Sequence, residues 1–357
     1  MSKVNVSNCG SSHGIAHSGG IAMRILSSVQ TLSAAAAITM LAACSGGSVI
    51  TPQQFTPQSH ALSSHNAIGY HGASFNACPA TGLIEYVSLP GDGTINIFAG
   101  DFKGQAACGI ITGFGLPLDI IVKSGTLYVP DINGGQTAGN VKAFHRGGTT
   151  PFMTYSDPCG FPMSVAVSDD GYVFAANESR ICSPASISIW KKSTGALVHN
   201  YPGSADWNDI LFLTIQKDGT VYVDAQNSMW TSKCVKGVCG SFTKIAQIPC
   251  CEGAMRSVDG EHVVAANFAN ATALTFTPPN FTTPSGSCSF GLNPDTNTIA
   301  INFAQSHIYA EGWFTGTASE FKYPAGGGNG GPCVLIGTVS TSSNYVWGIA
   351  VDRPASL

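Results

Sequence analysis

The chain has 357 residues, of which 10% are charged, 44% are hydrophobic and 42 are glycine, with a formal net charge of −4. A surface so poor in Glu and Lys is covered by Ser, Thr and Asn instead, which argues against a helical cytosolic enzyme and for an exported β protein. No Lys/Arg cluster stands in the sequence, which argues against nucleic acid as a partner and against an anionic membrane held through a basic patch.

Residues 1–22 fit neither a signal nor a domain, and Met23 is the expected start of translation. From there the chain reads MRILSSVQTLSAAAAITMLAAC. Arg24 supplies a positive n-region and Leu32–Ala43 an uncharged apolar core. This core is too short to span a bilayer and ends in Ser-Gly-Gly-Ser rather than in a stop-transfer charge. Leu41-Ala42-Ala43-Cys44 resembles the lipobox of bacterial lipoproteins. The resemblance implies a signal peptide over 23–43, cleavage before Cys44 and acylation of its thiol and new amino terminus. Ser45 after the cysteine favours the outer membrane by the same resemblance. An ordinary cleaved signal and a buried helix are the alternatives. Two or more acyl chains anchor stably, at about 0.8 kcal/mol per buried CH₂. Residues 44–75, rich in Ser, Thr, Pro and Gln, read as the acylated cysteine and a flexible tether.

Residues 76–357 carry a repeat. In Gly115–Phe144 an apolar strand, a Ser-Gly turn, a second strand, a polar loop and a third strand follow one another. Innermost strands recur at Asp119, Ser164, Leu211, Met255, Ile299 and Trp347, which are 45, 47, 44, 44 and 48 residues apart. Ser124-Gly125, Asp170-Gly171, Asp218-Gly219 and Asp259-Gly260 mark the turns to the second strands. This period predicts an all-β chain folded as a six-bladed β-propeller with four-stranded blades. The sixth copy stops after Val346–Asp352. Leu83–Leu89, Thr94–Ala99 and 107–112 supply its missing strands, so the C-terminal inner strand pairs with N-terminal strands and closes the ring.

Pro117-Leu118-Asp119-Ile120-Ile121-Val122 with Leu127-Tyr128-Val129-Pro130-Asp131 resembles the NHL-repeat unit and related six-bladed propellers. Pro162–Val167 with Tyr172–Asn177, and Trp347–Asp352, resemble it too. The resemblance covers about residues 83–352 and implies a fold. Propellers of this kind include lactonases, lyases, glycan and peptide binders and protein scaffolds, and a fold alone does not choose among them.

Cys9 lies in the leader and Cys44 in the lipobox, which leaves ten cysteines, an even number that predicts disulfides in an exported domain. Cys234 and Cys239 flank a hairpin tip and predict a local bridge. Cys159 and Cys182 fall on one face and are expected to pair. Cys78 with Cys108 would pin the N-terminal strands, and Cys288 with Cys333 completes the set. Cys250-Cys251 either form a strained vicinal bridge, pair elsewhere or stay reduced.

Two candidate sites lie on the face where loops between blades meet loops after second strands. Asp131, Asn177, Asp224, Asn267 and Glu311 form an oxygen-rich set for Ca²⁺ or another divalent cation, as resemblance to gluconolactonase-like propellers implies. The competing expectation is that these side chains bond loop backbone at strand ends. Phe161, Trp207, Trp313, Phe314 and Tyr345 form a candidate aromatic rim for a glycan or peptide, or else wedge between blades. No HExxH, GxSxG, Walker loop or dinucleotide fingerprint occurs, and catalytic residues are not assigned. No cofactor is expected beyond that possible cation. The expected function is that of an envelope-anchored, monomeric binding module for a glycan, peptide or partner protein. A metal-dependent lactonase, hydrolase or lyase is the alternative.

Overall fold

In a computed structural model, the structure describes residues 78, 79 and 82–352. Short segments at 133–138, 180–183, 204–206, 208–211, 226–227, 248–254, 259–261, 268–269, 292–295, 297, 303–305, 313–314, 325–326 and 344 are not part of that description. The described residues are almost entirely strand, and no helix among them is long and apolar enough to cross a membrane.

The first three strands are β1 (Ile84–Leu89), β2 (Thr94–Ala99) and β3 (Gly109–Ile111). Blade 1 follows with β4 (Ile121–Lys123), β5 (Thr126–Asp131), β6 (Asn140–His145) and β7 (Pro151–Ser156). Blade 2 is β8 (Pro162–Val167), β9 (Tyr172–Asn177), β10 (Ser186–Lys191) and β11 (Leu197–Pro202). In blade 3, β12 (Phe212–Ile215), β13 (Thr220–Asp224), β14 (Ser228–Val235) and β16 (Thr243–Gln247) are joined by the hairpin strand β15 (Val238–Cys239). Blade 4 is β17 (Met255–Val258), β18 (His262–Asn267), β19 (Thr272–Phe276) and β20 (Gly286–Ser289). Blade 5 is β21 (Ile299–Ile301), β22 (His307–Gly312), β23 (Thr317–Lys322) and β25 (Val334–Ser340). Between its last two strands, β24 (Asn329–Pro332) leaves blade 5 and pairs in parallel with β20. The closing strand β26 (Gly348–Asp352) pairs antiparallel with β1, giving the order β26-β1-β2-β3. Six antiparallel sheets thus form a propeller whose ring is closed by strands from both ends of the domain.

Each blade buries both faces of its second strand against its neighbours. Such strands read as continuous apolar runs rather than alternating ones, as in Tyr172–Asn177 and His262–Asn267, where the inner positions are all buried. Outer strands cover one side only, and β7 and β11 are exposed at most positions. The core is accordingly divided. Phe174, Ile187, Leu213 and Trp230 pack between blades 2 and 3, and Tyr128, Tyr155, Val165 and Trp190 between blades 1 and 2. Four further clusters fill the remaining junctions.

The inner strands run parallel round the ring, as the bridge between Asp119 and Ser164 shows. All first-to-second and third-to-fourth strand turns therefore share one face, called here the turn face. The second-to-third connections and those between blades share the other, the loop face. Several turns on the turn face are tight. Ser124-Gly125 and Lys236-Gly237 have positive φ at both residues, the pattern of a type I′ hairpin.

Three disulfides match the predicted pairs. Cys234–Cys239 joins directly opposed residues at a Cα separation of 3.9 Å, and Cys78–Cys108 ties the chain entry to the start of β3. Cys288–Cys333 staples the excursion of blade 5 onto blade 4. Cys159 is disulfide-bonded too, while Cys182, Cys250 and Cys251 lie outside the described residues.

Candidate functional site

The channel at the centre of the ring is crossed by an ion pair. Asp119 sits at the inner edge of blade 1 and is fully buried. Its carboxylate receives both terminal nitrogens of Arg256, at 2.5 and 3.2 Å. Arg256 belongs to β17 in blade 4, directly across a six-fold ring, and its side chain is 13% exposed. Blades 2 and 5 complete the cluster, with the Ser164 hydroxyl donating to the same carboxylate at 2.8 Å and Thr298 Oγ1 at 2.9 Å. Four of the six blades therefore converge on one carboxylate. A charge buried at the inner edge of a blade is costly unless it meets its opposite, and Asp119 meets it across the channel. Asp119 interrupts the apolar run Leu118-Asp119-Ile120, and that interruption is the signal in the sequence that could have marked it.

Around this plug the five oxygen-bearing candidates stand one to a blade. Asp131, Asn177, Asp224 and Asn267 end β5, β9, β13 and β18, and Glu311 is next to last in β22. Where their contacts are defined they turn to their own surroundings. Asp131 Oδ1 accepts the backbone N–H groups of Gly115 and Leu116 at 2.8 and 3.0 Å, while Oδ2 pairs with Lys142 Nζ at 2.7 Å. Glu311 Oε1 accepts the N–H of Thr298 at 3.0 Å. Asn177 donates to Ser188 Oγ at 3.0 Å. Asp224 is buried and Asn267 half-buried. In blades 1 and 5 the physical reason is local: the connection entering the blade passes over the end of its second strand with backbone N–H groups that need acceptors. No group of three or more His, Cys, Asp or Glu side chains among the described residues could hold a metal ion.

Asp157, which the sequence did not single out, is buried beside Asn177. It accepts the Cys159 N–H at 2.8 Å and the Ser188 hydroxyl at 3.1 Å. Burial outweighs these donors and pushes its carboxyl up to about 6.

Two of the aromatic candidates are packed inward. Phe161 and Trp207 are buried, the latter edge-on against Trp230 and Phe242. Tyr345 is half-buried, and burial together with the nearby Glu311 carboxylate raises its hydroxyl pKa. Trp313 and Phe314 lie outside the described residues.

A second buried acid cluster lies at the junction of blade 5 with the closing blade. Glu85 and Glu320 are both fully buried there. Glu320 accepts the Tyr309 hydroxyl and the Phe102 N–H, each at 3.0 Å, and lies 2.6 Å from His307 Nδ1. Glu85 has no such set of donors. Burial first, and the Glu320 charge second, push its carboxyl up to about 10, so it is protonated at neutral pH.

The chain matches no protein-family model and no curated protein sequence. Solved structures resemble it in fold. A chain of a nidogen/laminin complex superposes with a TM-score of 0.57 at 12% identity, over 76% of this chain and 99% of that one. A functionally unknown protein from Desulfotomaculum acetoxidans DSM 771 superposes with a TM-score of 0.49 at 14% identity, over 72% of this chain and 80% of that one. A protein from Lactobacillus plantarum gives 0.49 at 13% identity, over 73% and 82%. At these identities what is shared with the nidogen/laminin chain is the fold.

Proposed function

We propose that this chain is an exported lipoprotein of the bacterial envelope, anchored through Cys44, whose NHL-like propeller binds a glycan, peptide or partner protein on its loop face. One observation carries the choice of a binding module over a hydrolase. Asp131, Glu311 and Asp119 each have oxygens engaged by backbone N–H groups, lysine or arginine of the same chain, rather than converging on a shared open point. An acid held in this way shapes and stiffens a surface, whereas a metal-assisted hydrolase needs ligands meeting at one position with a vacancy for substrate. The three disulfides are in keeping with an oxidising compartment.

Native mass spectrometry of the full chain, exported with Cys44→Ser to keep it soluble, tests this. The expected mass carries no stoichiometric divalent ion, and the same sample retains a ligand from a glycan and peptide screen. One divalent ion, lost on chelation, would overturn the reading in favour of the metal-dependent lactonase.

A further inference from the structure

The turn face carries a feature that no run in the sequence displays. Every large hydrophobic side chain that stands exposed among the described residues lies beside a third-to-fourth strand corner, between 36% and 63% exposed. Blade 1 contributes Phe152, blade 2 Leu197 and Val198, and blade 3 Val235 and Val238. On blade 5 the pair is Val334 and Leu335. Single exposed apolar residues need no explanation, but their restriction to one rim on four blades does.

Lysines stand among them. Lys191, Lys192, Lys236 and Lys322 occupy the same corners, Lys217 lies in the first-to-second turn of blade 3, and none of the five has an ion-pair partner among the described residues. The carboxylates of this face are already engaged. Asp101 pairs with Lys103, Asp169 with Lys123, Asp218 with Lys233 and Asp352 with Arg146. Asp170 accepts the Ser168 hydroxyl and the Lys236 N–H. Asp259 and Glu261, between β17 and β18, lie outside the described residues. The described part of the face is left with five lysines without an ion partner, against the single carboxylate of Asp170 that is bonded but not ion-paired. Of the five, Lys192 is half-buried, with its ammonium 6.0 Å from the Tyr128 ring. On the opposite face the described acids Asp131, Asp157, Glu178, Asp224 and Glu311 are buried, and Asp92 is exposed.

The chain also enters the propeller here. Cys78 is fixed by its disulfide to Cys108 at the start of β3, which is the third-to-fourth strand corner of the closing blade. The 33 residues between Cys44 and Cys78 therefore lead to this rim.

From the charge, the apolar rim and the point of entry together, we infer that the turn face docks directly on an anionic lipid bilayer. The aliphatic side chains enter the headgroup region, and Lys191, Lys192, Lys217, Lys236 and Lys322 meet lipid phosphates. This deepens the tethered-module reading, because it turns the loop face outward to its ligand, but it requires no acyl chain. Interfacial binding of this kind adds apolar burial to electrostatic attraction, each lysine near the surface strengthening it about fivefold.

The test is flotation of the full chain carrying Cys44→Ser with vesicles of phosphatidylcholine alone or mixed equally with phosphatidylglycerol. Flotation with the mixed vesicles at low salt, lost at high salt, is expected. Changing Lys191, Lys192 and Lys236 to Gln lowers partitioning on the order of a hundredfold. Changing Val235, Val238, Val334 and Leu335 to Ser abolishes it with an unchanged melting temperature. Absence of flotation at low salt, equal binding to neutral vesicles, or binding indifferent to both sets of changes overturns the proposal. So does a concentration-dependent dimer that dissociates when the four aliphatic residues are changed, because a second copy then covers the rim. Incorporation of labelled palmitate into the unmodified chain in a bacterial host reports the acylation of Cys44 separately, so that the two readings fail independently.

Discussion

The two faces of the propeller use charge in opposite ways. On the loop face Asp119, Asp131 and Glu311 are fully buried, with oxygens engaged by donors of the same chain. On the turn face five lysines are without ion partners among the described residues and aliphatic groups are exposed. The difference follows from how chain reversals are built. A two-residue turn such as Lys236-Gly237 satisfies its backbone within the hairpin and leaves its side chains to solvent. A long connection between blades carries backbone N–H groups that find no strand partner, and an Asp, Asn or Glu at a strand end supplies the acceptor. Charges on one face are therefore part of the fold, and on the other they are available to something else.

The sharpest way to break this contrast is at the channel plug. Replacing Asp119 by Ala leaves the Arg256 guanidinium in the channel without its carboxylate, and removes the acceptor of Ser164 and Thr298. The expected loss of stability is about 3–5 kcal/mol, measured by chemical denaturation. Changing Asp119 and Arg256 together to apolar residues of similar volume recovers most of it. A single change costing under about 1 kcal/mol would mean that water, not the pair, fills the channel.

The architecture was legible in the sequence because it rests on local regularities. Spacing of inner strands, Asp-Gly and Ser-Gly turns and a truncated sixth copy were enough to place β26 beside β1 and to pair Cys78 with Cys108, Cys234 with Cys239 and Cys288 with Cys333. The candidate site was legible only in part. Asp131 and Glu311 could be placed at strand ends, yet which donors claim their oxygens depends on where the entering connection runs. Asp119 and Arg256 are 137 residues apart, and no local pattern links them. The basic rim was hidden for a similar reason. It is assembled one or two lysines at a time from turns on several blades, so no basic run appears in the chain.

Glu85 carries the second prediction. Its carboxyl is protonated in the fold up to about pH 10 and ionised in the unfolded chain above its ordinary value of 4.5. Between these limits the folded state binds the extra proton. Stability is therefore greatest at the acid end of the window and falls as pH rises, by up to about 1.4 kcal/mol per unit. Glu85→Gln keeps the shape, removes the titration and flattens this slope, so the variant gains most over the parent near pH 8. Denaturant midpoints at pH 5 and pH 8 check it, and parallel slopes for the two proteins would place the ionised acid in contact with water. His307, Glu320, Tyr309 and Asp101 face the same junction and are left unchanged in the comparison.

The third prediction is smaller and concerns one strand end. Asp131→Ala strands the N–H groups of Gly115 and Leu116 and the ammonium of Lys142, at a cost of about 1–3 kcal/mol. Asp131→Asn keeps an acceptor for the backbone and loses mainly the ion pair with Lys142, whose side chain is 17% exposed. If Asn restores most of the stability, the carboxylate serves chiefly as an acceptor for the loop. Should Asn be as damaging as Ala, the ion pair is what holds the loop.

The smallest effect is expected on the opposite face, and its smallness is what makes it useful. Lys236→Gln keeps the backbone N–H that Asp170 accepts and removes a cation with no ion partner among the described residues. Its stability should stay within about 0.5 kcal/mol of the parent, because an exposed charge without a partner contributes little to folding. The same substitution contributes to the loss of vesicle binding proposed above. A residue whose removal leaves the melting temperature unmoved while weakening attachment to an anionic surface is acting outward. Asp119, whose removal would unfold the channel, is acting inward. Finding Lys236→Gln as costly to stability as Asp131→Ala would erase that division and return the turn-face lysines to the fold.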